Sequence, residues 1–158
     1  MKTEMFRNAT SRGRAAWMVV DDNKSVLDFL KALLESLNIA RVHCFASGAE
    51  ALAAFAAGPE DFELVVTDLE MPAMDGIELL RRLRAISPRL KVLLATGNAL
   101  ITDQEAARYG FCGLVPKPFS TTALFRATDT ARVSRHRFNA GTGCADNSGN
   151  NITASAVA

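Results

Sequence analysis

Short, unbroken apolar runs alternate with longer amphipathic stretches through the middle of the chain, and turn residues separate them. The runs at 15–20 (AAWMVV), 41–45 (RVHCF), 64–67 (LVVT), 91–95 (KVLLA) and 113–115 (GLV) predict five strands buried on both faces. Between them, Leu27, Leu30, Leu34 and Leu37 repeat at helical spacing after Asn23, and Leu79, Leu80, Leu83 and Ile86 do so after the Asp75-Gly76 turn. Ser47-Gly48-Ala49-Glu50 and Thr102-Asp103-Gln104-Glu105 match the capping box, which marks two further helix starts. A last helix is expected from Ser120 to about Arg135, with Leu124, Ala127 and Ala131 on one face. Strict alternation of this kind predicts an α/β fold: a five-stranded parallel sheet, doubly wound, with five helices in a single domain.

Both ends lack this pattern. Residues 1–14 are polar and basic without a period, and residues 138–158 are rich in Gly, Asn, Ser and Thr. They are expected to be a flexible N-terminal and a disordered C-terminal tail around a domain at 15–137. The C-terminal stretch is too short and polar for a DNA-binding helix-turn-helix domain or an output enzyme, so a stand-alone domain is expected.

Composition narrows the function. The 18 basic and 17 acidic residues give a formal net charge of +1, so no whole-molecule field draws in nucleic acid or a membrane surface, and neither is expected as a partner. There is no apolar run of the ~18 residues that a membrane span needs, and no apolar signal core follows the first Met. A cytoplasmic protein is the expectation. Cys44, Cys112 and Cys144 are far apart and show no zinc-site spacing, so they read as reduced thiols, two of them packed in the core. His43 and His136 are isolated, and Arg81, Arg82 and Arg84 read as a solvated helix face.

The chemistry gathers at one edge. In an open parallel sheet, ligands bind beyond the carboxyl ends of the strands. Asp21 and Asp22 follow the first predicted strand, Asp68 the third, Thr96 the fourth and Lys117 the fifth. Converging carboxylates repel one another, and a hard cation relieves that repulsion; Mg²⁺ suits oxygen ligands and commonly shares its site with a phosphate. Asp68 is then the candidate nucleophile toward phosphorus, with Lys117 neutralising phosphoryl oxygens and the Thr96 hydroxyl donating to one of them. Gly97, beside Thr96, leaves the approach unobstructed.

With VVDD at 19–22, DLEMPAMDG at 68–76, AT at 95–96 and KPF at 117–119, the chain resembles the receiver domains of two-component response regulators, the CheY-like family, over about residues 15–135. The resemblance implies a flavodoxin-like (βα)5 fold and a signalling phosphoprotein rather than a conventional enzyme. It implies that Asp68 takes a phosphoryl group from a histidine kinase or histidine phosphotransfer protein. Mg²⁺ would be held by Asp22, Asp68 and the backbone carbonyl of Glu70, with Asp21 assisting. It also implies a cis Lys117-Pro118 peptide, a structural loop at Met71-Pro72 with Gly76 permitting the turn into the next helix, and a downstream protein bound through the last two helices. Glu70 and Asn98 stand at positions that, in similar proteins, tune loss of the phosphoryl group, and the resemblance implies the same for them here.

One position departs from the pattern. Leu114 stands where many receivers carry a Tyr or Phe that swings as the threonine moves, so any switch must act through Thr96, the loop at 97–102 and the backbone. The alternative function is a receiver-like interaction module that works without phosphorylation. An Asp-nucleophile phosphatase of the dehalogenase type would need a DxD motif after the first strand, where Asp21-Asp22-Asn23 stands.

Overall fold

A computed structural model of the chain describes residues 16–133. The expected tails, Ala15 and the predicted end of the last helix at 134–135 lie outside the described residues. Five strands, β1 (Ala16–Val20), β2 (Arg41–Phe45), β3 (Phe62–Asp68), β4 (Lys91–Thr96) and β5 (Gly113–Pro116), form one sheet. They alternate with α1 (Lys24–Ser36), α2 (Gly48–Ala57), α3 (Gly76–Ile86), α4 (Asp103–Tyr109) and α5 (Thr121–Val133). All four strand pairings are parallel, in the order β2-β1-β3-β4-β5.

Period-2 alternation divides the strands between two cores. Trp17, Val19, Leu64, Val66, Leu93 and Ala95 point to one face, under Leu27, Leu30 and Leu34 of α1 and Leu124, Ala127 and Ala131 of α5. Met18, Val20, Val65, Val92 and Leu94 point to the other, under Phe55 of α2, Leu79, Leu80 and Leu83 of α3 and Ala106 of α4. Each fully buried Leu in these stripes contributes roughly 1.5–3 kcal/mol relative to exposure. Both long stripes are one residue shorter than their periodicity predicts. Leu37 caps α1 and is 39% exposed, and Ile86 ends α3 at 41%.

The helix starts follow their capping chemistry. Asn23 Oδ1 accepts from the N–H groups of Ser25 and Val26, Ser47 Oγ from Glu50, Asp75 Oδ1 from Glu78 and Ser120 Oγ from Ala123. At Thr102 the box is reciprocal, with Glu105 Oε2 accepting from the Thr102 N–H. Cys44 and Cys112 are half-buried against the first core. Arg84 departs from the solvated arginine face: it is half-buried, and its Nε donates to the Leu90 carbonyl at 3.4 Å. Arg81 and Arg82 are exposed as expected, and Arg82 pairs with Glu78.

The strand order places the functional edge. From β1 the chain runs outward to β2 and then returns across β1 to β3, so the loops after β1 and β3 diverge and leave a crevice between them. Asp21 and Asp22 leave β1 at that point, and Asp68 ends β3 beside them.

Candidate acidic site at the carboxyl edge of the sheet

Asp21, Asp22 and Asp68 each bring one carboxylate oxygen to within 4.8 Å of the others. Adjacent residues play different parts here. Asp21 is buried at 2% exposure, whereas Asp22 is exposed and Asp68 half-buried. Asp21 is held on both sides: its N–H donates to the Phe45 carbonyl of β2, and its Oδ1 accepts from the Asn23 N–H at 2.8 Å. Asn23 therefore caps α1 and orients Asp21 together. That second bond is an Asx turn, and an Asp directly after a strand, whose side chain can accept from the backbone two residues on, was its signal.

Lys117 reaches into this cluster from the end of β5. Its Nζ donates to Asp21 Oδ2 at 2.6 Å and lies 3.1 Å from Asp68 Oδ1. Its backbone N–H donates to the Thr96 carbonyl at 2.8 Å, tying the lysine to the end of β4. The Lys117-Pro118 peptide is cis, as the resemblance implied. Burial alone would lower the Lys117 pKa, but its hydrogen bonds to Asp21 and Asp68 outweigh that, and the ammonium is pushed above its ordinary value. Asp68 goes up as well. Its burial outweighs the opposing pull of Lys117, and the nearby Asp21 charge raises it further.

Thr96 is buried at the end of β4, and its Oγ1 accepts from the Asn98 N–H at 3.1 Å. Gly97 is exposed, and a Cβ there would meet only Lys117 Cβ at 3.7 Å, an ordinary contact. Gly76 has a different reason from the tight turn expected of it. Its φ is not positive; a Cβ would instead stand 2.2 Å from the Asp68 backbone carbonyl, while its N–H donates to the Leu69 carbonyl. The residue of the loop with left-handed backbone is Ala73, at φ 67°. Glu70 is exposed beside the cluster, and Leu114 is half-buried against the second core.

The donor set suits a hard divalent cation: three carboxylates converge, one of them buried and one half-buried, with a single ammonium compensating. A doubly wound parallel sheet with an acidic crevice at its switch point, a lysine on a cis Lys-Pro peptide and a threonine at the end of β4 defines a receiver-type phosphosignalling domain. The chain belongs to the response regulator receiver domain family, whose pattern it matches over residues 17–129.

The chemotaxis protein CheY of Pseudomonas aeruginosa is 39% identical over 112 residues, covering 68% of this chain and 87% of that protein. The C4-dicarboxylate transport transcriptional regulatory protein DctD of Rhizobium meliloti is 35% identical over 121 residues, covering 74% of this chain. The chain spans only 25% of the length of DctD. Among solved structures, a response regulator receiver domain protein from Clostridium thermocellum aligns with a TM-score of 0.66 and 29% identity, covering 74% of this chain and 93% of that one. Receiver domains are signalling domains of two-component systems, not conventional enzymes, and they bind Mg²⁺ at an acidic pocket. Among the described residues, no helix is long and apolar enough to cross a membrane.

Proposed function

We propose that this chain is a cytoplasmic receiver that accepts a phosphoryl group on Asp68 from a histidine kinase or histidine phosphotransfer protein and signals to a downstream protein. The observation that carries this reading is the contact of Lys117 with both Asp21 and Asp68, on the same edge as Thr96. In the reaction, an Asp68 carboxylate oxygen attacks phosphorus as the bond from phosphorus to the donor nitrogen breaks, and the donor imidazole leaves with the electron pair. Lys117 swings its ammonium from the carboxylates to a phosphoryl oxygen, and the Thr96 hydroxyl donates to another.

Asp21, Asp22, Asp68 and the Glu70 carbonyl would hold Mg²⁺, which when bound supplies the charge that lets an anionic phosphoryl group approach an acidic crevice. Asp21, fixed by Asn23 and Phe45, keeps one carboxylate in place throughout. Glu70 is exposed beside Asp68, where it can influence water reaching the acyl phosphate. A groove between α4, β5 and α5, bordered by Ala107, Leu114, Ala123 and Arg126, is the surface offered to a downstream protein.

Leu114 favours a second reading, a phosphorylation-independent interaction module, because no ring is there to couple Thr96 to that groove. Incubation with acetyl phosphate, read by intact-mass spectrometry with and without Mg²⁺, separates the two. One phosphoryl group added only with Mg²⁺, and absent from Asp68→Ala, is expected. An unmodified but folded protein would favour the interaction module.

A further inference from the structure

We propose that Asn98 is a positioning residue for phosphoryl uptake, holding the Thr96 hydroxyl with its backbone N–H and the following loop with its side chain. This rests on the phosphoacceptor reading above and assigns a role within that site. Three hydrogen bonds converge on the one residue. Its N–H donates to Thr96 Oγ1 at 3.1 Å, its Oδ1 accepts from the Leu100 N–H at 2.9 Å, and its carbonyl accepts from the Ile101 N–H at 3.1 Å.

The surroundings explain why such a clamp is needed. Thr96 is buried, but residues 97–100 are all exposed, and Leu100 is 81% exposed despite its apolar side chain. With little packing on this stretch, local hydrogen bonds set its shape. Gly97, which has room for a side chain but lacks one, adds backbone freedom directly beside Thr96.

The chemistry at Thr96 then follows. A threonine hydroxyl has one proton and two acceptor lone pairs. Accepting from the Asn98 N–H uses one lone pair and restricts rotation about the side chain, which leaves the proton to be donated to an incoming phosphoryl oxygen. The Asn98 side-chain carbonyl, engaged by Leu100, keeps that N–H in place. The residue thus works through Thr96, a different task from the handling of attacking water assigned to its position by resemblance.

The test is a double-mutant cycle on phosphoryl uptake from acetyl phosphate with Mg²⁺, combined with amide hydrogen exchange at Leu100. Asn98→Ala is expected to slow uptake about fivefold, the equivalent of one net hydrogen bond, and to speed Leu100 exchange by a similar factor. Asn98→Ser, whose hydroxyl can accept the same bond, should recover most of both. In a Thr96→Ala background, adding Asn98→Ala should change uptake less than about twofold, because the group it positions is gone. Equal losses in both backgrounds, or unchanged Leu100 exchange in Asn98→Ala, would overturn the proposal. A folded wild-type protein that takes up no phosphoryl group would overturn the phosphoacceptor reading and the positioning role with it, while Leu100 exchange would still report whether Asn98 fastens the loop.

Discussion

Lys117 Nζ lies closer to Asp21 Oδ2, at 2.6 Å, than to Asp68 Oδ1, at 3.1 Å. The lysine is therefore shared between the carboxylate that receives the phosphoryl group in our reading and one that only binds, and its single charge offsets only part of theirs. An ammonium in that position competes with a divalent cation for the same oxygens.

Lys117→Ala should accordingly bind Mg²⁺ more tightly, by about threefold to tenfold, the worth of one or two partly exposed ion pairs. The same variant should take up a phosphoryl group at least about tenfold more slowly, because a donor to the phosphoryl oxygens is lost. Isothermal titration with Mg²⁺ and the rate of mass gain with acetyl phosphate measure the two effects. Weaker Mg²⁺ binding in the variant would show that Lys117 organises the carboxylates rather than competing for them.

The raised pKa of Asp68 carries a stability consequence whose sign is fixed by linkage. Its folded pKa lies above the unfolded one, so the folded state holds the proton more strongly, and stability falls as pH rises from the ordinary carboxylate range through the folded value. Asp68→Asn removes that ionisation and leaves Asp21 as a partner for Lys117. The variant should unfold a few degrees higher than wild type at neutral pH, with the difference shrinking below the ordinary carboxylate pKa. Thermal melts across that range test it, and a variant less stable at neutral pH would contradict it.

The two glycines near the site should respond oppositely to a methyl group. Gly76→Ala places Cβ against the Asp68 carbonyl, with backbone on both sides of the clash, and should cost roughly 3 kcal/mol or more. Gly97→Ala meets Lys117 Cβ at an ordinary 3.7 Å and should stay within about 0.5 kcal/mol. Urea unfolding of both variants decides it.

Ala73 sits at φ 67°, where a side chain costs about 1 kcal/mol that glycine escapes. Ala73→Gly should therefore gain roughly 0.5–1 kcal/mol in the same unfolding experiment. No gain would mean that the loop at Met71-Pro72 relaxes around the alanine at no cost.

Much of this was legible from the chain alone, for physical reasons that also mark where reading stopped. Strands buried on both faces leave unbroken apolar runs, and RVHCF matches β2 at both ends. LVVT lies inside a longer β3, because Phe62 pairs with Ala16 and Asp68 with Ala95, with the register shifting across the polar Glu63. The site residues could be collected because the polar residues of a parallel sheet's functional edge follow strand ends. Their division of labour could not. That Asp21 is buried and Asp22 exposed goes with the backbone bond of Asp21 to Phe45 of β2 and the bond of its carboxylate to the Asn23 N–H. The choice of Asp21 by Lys117 spans 96 positions and is set by packing alone. Arg84 read as one more surface arginine because nothing local marks a reach from α3 to the Leu90 carbonyl.

The most direct test is to locate the acyl phosphate. Wild-type protein incubated with acetyl phosphate and Mg²⁺ is trapped with tritiated borohydride, which reduces an aspartyl phosphate to homoserine, and is then digested and sequenced. Homoserine at position 68, lost when Mg²⁺ is omitted, is the expected result. Label at Asp21 or Asp22, or a folded protein that takes no label under any condition, would contradict the assignment of Asp68 as the phosphoacceptor.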